Sequence, residues 1–388
     1  MRQNRTIMVP TDPRSPAITP GVPRLPVLNA LTSVRFFAAL HVALYHLIRP
    51  FTRWGFFTAA MAAGYEGVSF FFVLSGFILT YSHAKEYELG RGNAKKFWIA
   101  RFARIYPVYF LSVIFAGLAG IKQFHNKLHW IAYVADLLML QAWSMRMVNF
   151  FNSGAWTLSC EVFFYLVFPL VLTALRPKTR SSALLYMTGL FLLAMAAPVL
   201  CIKFYYPASF FETTGPLAGS GITMLVSKYP VFALPQFLAG ISLGWFFLRF
   251  KPQERTAAVM APVGFLLLGA ALFFANYLPF IALHNGLLIP VYALIILGLS
   301  QPNWMTRALS GRTLVLLGEA SFAFYLFHLI IIAFTDRYNV PKTWFPAVWR
   351  LVIAIPLSVL LHIFVERPCR RTILGWWAKR HPAEMRTV

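Results

Sequence analysis

The chain has 388 residues, of which 59% are hydrophobic and 12% charged, with Lys and Arg outnumbering Asp and Glu by 35 to 12. Soluble domains carry about 25% charged residues, so this composition excludes a water-soluble globular protein. The net charge of +23 invites a nucleic-acid partner, but the basic residues fall between long apolar segments, where membrane topology puts them, and no nucleic acid is expected.

Residues 1–27 contain six prolines and four arginines and no apolar core, so they read as a disordered cytoplasmic tail and not as a cleavable signal peptide. A bilayer core about 30 Å thick takes roughly 20 apolar residues per helical crossing, and such windows recur from there on. The expected fold is all-α, a polytopic membrane bundle of about ten transmembrane helices. They cover residues 29–48, 64–82, 97–118, 156–175, 183–201, 229–248, 257–276, 280–299, 313–334 and 346–365. An eleventh apolar segment, 128–143, is short for a crossing, and counting it would turn the basic loop with Arg176, Lys178 and Arg180 outward. Ten crossings from an inside N-terminus put 22 Lys and Arg on the cytoplasmic side and ten outside, which favours ten crossings with both termini cytoplasmic. Residues 28–368 then form one transmembrane domain and 369–388 a basic cytoplasmic tail. Cys160, Cys201 and Cys369 lie in or beside different segments and read as packing residues, not as a metal cluster or disulfides.

Six stretches carry polar groups within apolar surroundings. In RFFAALHVALYH, Arg35 and His46 are eleven residues apart, which places them within about 20° of one helix face and roughly 16 Å apart along the axis. Ionisable groups in a span face a protein interior or a wet cavity and mark function by default; the plain alternatives are a snorkelling anchor for Arg35 and a packing histidine for His46. His41 is turned away from that face and reads as structural. In FWIARFARIYP, Arg101 and Arg104 share a face near the cytoplasmic mouth; two guanidinium forks suit an anion with several phosphates, and an ordinary basic flank is the bland reading. In WTLSCEVFFYLVFP, Glu161 lies one to two turns inside its span and needs a partner, for which His46 has a compatible depth. SFAFYLFH supplies His328 and FVERP supplies Glu366, either of them supporting or structural. GVSFFFVLSGF spaces glycines and serines for close helix contact, so Ser69 and Ser75 read as packing or hydrogen-bonding residues.

Taken in order over residues 28–368, Arg35 and His46 with ten residues between them, GVSFFFVLSGF, RFARIYP, WTLSCEVFFY, SFAFYLFH and FVERP resemble the membrane-bound acyltransferase 3 family. The resemblance implies a multi-span O-acyltransferase of the inner (plasma) membrane that moves an acetyl group from cytoplasmic acetyl-CoA to a hydroxyl of a glycan or small acceptor. Acetyl-CoA is then the donor substrate, no metal is needed, and the partners are donor, acceptor and lipid bilayer. The family's essential residues map to Arg35, His46, Arg101 and Arg104. Phe36 stands where many members have glycine. The expected site has His46 and Glu161 as the catalytic pair, Arg35, Arg101 and Arg104 holding the donor, and His328, Ser75 and Glu366 in support. The rival is a transporter or flippase using the same His, Arg and Glu as a proton or anion path. The loops 119–155 and 202–228 carry Trp143, Trp156, Tyr205 and Tyr206, which either stack on sugars or form an interfacial belt.

Overall fold

The computed structural model describes residues 25–48, 60–205, 221–338, 340 and 344–381. Most of the N-terminal tail and Tyr206 lie outside the described residues. The helices are α1 (Asn29–Ile48), α2 (Glu66–Glu88) and α3 (Ala94–Ala119), then the short α4 (Lys127–Leu137), α5 (Trp156–Val171) and α6 (Arg180–Tyr205). They continue through α7 (Gly221–Lys228), α8 (Pro230–Phe250), α9 (Glu254–Phe273), α10 (Phe280–Asn285), α11 (Ile289–Leu299), α12 (Trp304–Leu309), α13 (Arg312–Arg337), α14 (Trp344–Leu361) and α15 (Arg367–Arg380). Among the described residues, eight helical stretches are long and apolar enough to cross a membrane, and α5 and α11 are shorter apolar helices at the two remaining expected spans. The segment expected to be ambiguous, 128–143, is an 11-residue helix followed by a 3-10 turn, too short to cross.

Backbone approach holds the bundle together, because lipid offers no hydrophobic gain for joining two apolar helices. Gly76 of α2 packs on the backbone of Phe237 to Ile241 in α8, and Gly240 of α8 packs back on Val73. Gly244 meets Thr80 one turn further on, so the two helices run side by side in the same direction. On the other flank Gly318 of α13 rests on the Thr32 carbonyl of α1, and one turn on the Phe36 and Phe324 rings meet at a tilt, 5.9 Å apart. Phe36, which stands at a position of small residues in the resemblance, thus fills the seam between these two helices.

Where helices break, side chains take over the freed backbone groups, as a low-dielectric interior requires. Pro169 has no N–H to offer the carbonyl of Tyr165, and the Trp98 indole of α3 donates to that carbonyl at 2.8 Å. The eighth crossing is broken between α10 and α11 at Gly286, whose φ of 122° only glycine adopts readily. The exposed carbonyl of His284 there accepts from Ser69 (2.8 Å) and Gln236 (3.3 Å). His41 likewise serves structure, its Nε2 lying 2.8 Å from the Ala60 carbonyl. The last crossing passes through one π turn, His362–Glu366, before resuming as α15. Residues to Arg380 are helical, α15 packs on α3, and Trp377 is buried.

Two measurements check this account. A Cβ at Gly76 would collide with the Phe237 carbonyl, so Gly76→Val should lower the stability of the purified protein by about 1–3 kcal/mol or more, read as a fall in Tm; an unchanged melt would refute the α2–α8 backbone contact. Asp136 of α4, outside the crossings, is 4% exposed and burial pushes its carboxyl up to about 8. Because that value lies above the unfolded one, its contribution is full at acid pH and is lost as the pH climbs toward 8. Asp136→Asn should therefore melt with the wild type below about pH 4, where the unfolded carboxyl is protonated too, and above it at pH 8.

Candidate active site

Five helices converge on one polar column. Asn93 caps α3 by accepting from the Lys96 amide at 2.9 Å, which fixes the start of the helix and brings Arg101 and Arg104 inward two to three turns later. These two line a cavity of about 100 Å³ together with Arg35 of α1, Ser75 of α2, and Glu161 and Tyr165 of α5. A smaller cavity of about 40 Å³ continues from it, lined by Thr157, Ser321 and Tyr325 and sharing Arg35, Glu161, Phe71 and Phe322 with the first. Arg35 and Glu161 thus stand where the two chambers meet.

The charges in the wider chamber are close enough to act on one another. Arg35 interacts electrostatically with Arg104 and Glu161, and Arg101 with Tyr165, Arg104 and Glu161. The Tyr165 hydroxyl donates to Glu161 Oε2 at 3.2 Å and is also hydrogen-bonded to Ser75. Arg101 lies 5.8 Å from the centre of the Phe97 ring, and its Nε is buried with no hydrogen-bond partner among the described residues. Three guanidinium groups against one carboxylate, with a donor nitrogen unmet, make a cavity suited to an anion.

Along α13 from Tyr325 of the narrow chamber lies a pair of imidazoles. Tyr325 donates to the Gly154 carbonyl at 3.0 Å and its hydroxyl lies 3.2 Å from that of Thr157. One turn on, His328 is buried, with Nδ1 2.6 Å from the Tyr325 carbonyl. A carbonyl only accepts, so Nδ1 carries the proton and Nε2 presents a lone pair. That Nε2 has no hydrogen-bond partner among the described residues, and the ring of His46 is centred 5.4 Å away.

This placement changes two expectations. The described contacts of Glu161 are Tyr165 and the arginines, and the imidazole beside His46 is that of His328. The reason is axial distance: His46 sits three turns up α1 from Arg35, and Glu161 takes the level of Arg35. Ser75 lies in the cavity wall and does more than pack, whereas Ser69 bonds backbone as expected. Glu366 is buried and held by His362 at 2.9 Å, next to the site instead of in its wall. Trp156 is buried, stacked on His284 and edge-on to Phe72, so it offers no open face to a sugar; Trp143 is 38% exposed. Sequence reasoning missed Thr157, Tyr165 and Tyr325, although Tyr165 follows Glu161 by four residues and Tyr325 precedes His328 by three, the spacings that share a helix face. No group of three or more potential metal ligands occurs among the described residues.

Residues 28–367 match the family model described as an acyltransferase domain. Acyltransferase MdmB of Streptomyces mycarofaciens is 31% identical over 378 residues, 90% of this chain and 94% of that protein. O-acetyltransferase OatA of Staphylococcus aureus is 25% identical over 372 residues, and the match takes 89% of this chain but 57% of that longer protein. No solved structure matches the chain. A match over nearly the whole chain answers the question of class, and the carrier reading falls away: the chain belongs to the acyltransferase 3 family and is a multi-pass membrane O-acyltransferase.

Proposed function

We propose that this enzyme takes an acetyl group from cytoplasmic acetyl-CoA and transfers it to a hydroxyl of a glycan or glycan-bearing acceptor that enters from the other side of the plasma membrane. One observation carries the reading: two adjoining cavities share Arg35 and Glu161, the wider one is lined by three arginines, and His328, beside His46, follows Tyr325 of the narrower one by three residues. The excess of basic loop residues at the Arg101 end supports a cytoplasmic orientation for that mouth. Similarity to an O-acetyltransferase supports acetyl as the group moved.

In this reading Arg101, Arg104 and Arg35 hold the donor's phosphates, and the thioester arm runs past Glu161 toward the narrow chamber. Glu161 offsets part of the arginine charge, and its bond from Tyr165 fixes where that charge sits. His46 removes the proton from the acceptor hydroxyl as its oxygen attacks the thioester carbonyl. The C–S bond then breaks, and the coenzyme thiolate leaves with the proton. His328, neutral with Nε2 unprotonated, is placed to accept a hydrogen bond from the His46 imidazolium and so to stabilise the charge that forms there.

Purified His46→Ala should remain folded and lose at least about 10²-fold in transfer from labelled acetyl-CoA to a glycan extract; activity near wild type would remove His46 from the mechanism. Glu161→Gln keeps the shape of the side chain and removes its charge. It should lower kcat by about tenfold or more, and an unchanged rate would strip Glu161 of its electrostatic role.

A further inference from the structure

The narrow chamber is built for an apolar occupant. Away from the residues it shares with the wider one, its walls are Val68 and Phe72 of α2, Thr157 and Leu158 of α5, and Ser321 and Tyr325 of α13. The three hydroxyls are already engaged. Thr157 donates to the Gly154 carbonyl at 3.1 Å, Tyr325 donates to the same oxygen at 3.0 Å, and Ser321 donates to the Gly318 carbonyl at 2.8 Å. With those hydrogens spent on backbone, the rest of this wall is Val68, Phe72 and Leu158, all buried. Ordered water needs about two to four polar partners, and an apolar group needs none.

The chamber is also small, and its apolar wall is stiff. A volume of about 40 Å³ holds about three water-sized groups, which matches the methyl, carbonyl carbon and oxygen of an acetyl thioester. Phe72 is gripped edge-on by Trp156 at 6.1 Å and by Phe164 at 5.1 Å, and Phe164 is in turn stacked on Phe237 of α8 at 4.8 Å. The helix behind it is fixed too, since Gly76 and Gly240 lock α2 against α8. A longer acyl chain must push these packed rings aside, and close-packed interiors resist added methylenes. The chemistry stands next to the same space: Arg35 and Glu161 lie at the junction of the chambers, and the Tyr325 ring is centred 5.8 Å from that of His328.

We infer that the narrow chamber gauges the length of the acyl group: its wall of Val68, Phe72 and Leu158 receives the methyl of an acetyl thioester and excludes acyl chains of four carbons or more. The inference rests on the donor reading proposed above and adds to it the residues that choose the acyl group. These three side chains act by volume and move no proton.

The test measures kcat/KM for acetyl-, propionyl- and butyryl-CoA in the purified full-length protein and in V68A and F72L, with a glycan extract as acceptor whose half-saturating concentration is also read. Wild type should favour acetyl over butyryl at least about 100-fold, since each methylene too many for a full pocket costs about tenfold or more. Both variants open the wall, so that preference should fall about tenfold or more, with propionyl between the two, while the acceptor value stays within about twofold. A preference that keeps its wild-type size in variants still using acetyl-CoA overturns the assignment, as does loss of all three substrates by folded variants. A shift in the acceptor value in place of the preference overturns it as well, and makes the chamber part of the acceptor site. If wild type consumes none of the three thioesters, the donor reading fails and the gauge with it. Should neither variant fold, wild type decides: a 100-fold preference for acetyl upholds the gauge, and use of butyryl within about tenfold of acetyl overturns it.

Discussion

An arginine surrounded by hydrocarbon is tolerable only when other charges and dipoles of the protein answer it, and this constraint organises the molecule around Arg35. Its guanidinium sits within a bundle whose neighbours are apolar, and the answering groups are Glu161 and, further off, Glu366. Each of these needs its own support. Glu161 takes it from Tyr165, itself bonded to Ser75, and Glu366 takes it from His362. The chain of obligations runs through α1, α2, α5, α13 and the π turn. Removing one member leaves a buried charge unanswered, which costs more than the lost contact itself.

The same logic explains why so much polar chemistry survives in a chain that is 59% hydrophobic. The bundle joins its helices through glycine backbones, at Gly76 with Gly240 and at Gly318 with Thr32, and so leaves its larger side chains free to frame cavities. Prolines and a broken helix then release carbonyls that polar side chains must meet. Trp98, Ser69 and Gln236 are spent on that task and are not reactive groups.

The crossings were legible because hydrophobic length is a one-dimensional signal: the spans expected at 29–48, 97–118 and 183–201 contain or lie within α1, α3 and α6. The arginines and histidines were legible because charge within a span is rare. Who pairs with whom was not. Depth along two antiparallel helices depends on tilt and register, which the sequence of either one does not contain, so Glu161 is paired with His46 from sequence and with Tyr165 and Arg35 in the fold. His328 and its neighbour His46 meet because α1 and α13 run side by side on a glycine, a relation visible only once both helices are placed. The π turn escaped for a different reason. One added residue leaves hydropathy unchanged yet rotates everything after it, so the helix beyond it reads as tail by composition and packs on α3 with Trp377 buried in space.

Phe71 and Phe322 belong to the walls of both chambers. With α2 locked to α8 by backbone contact and α13 to α1 in the same way, the helices bearing these rings have little room to swing. The two phenyl rings at the junction of the chambers are therefore carried on a frame fixed by backbone contact, unlike the rocking halves by which carriers admit their cargo.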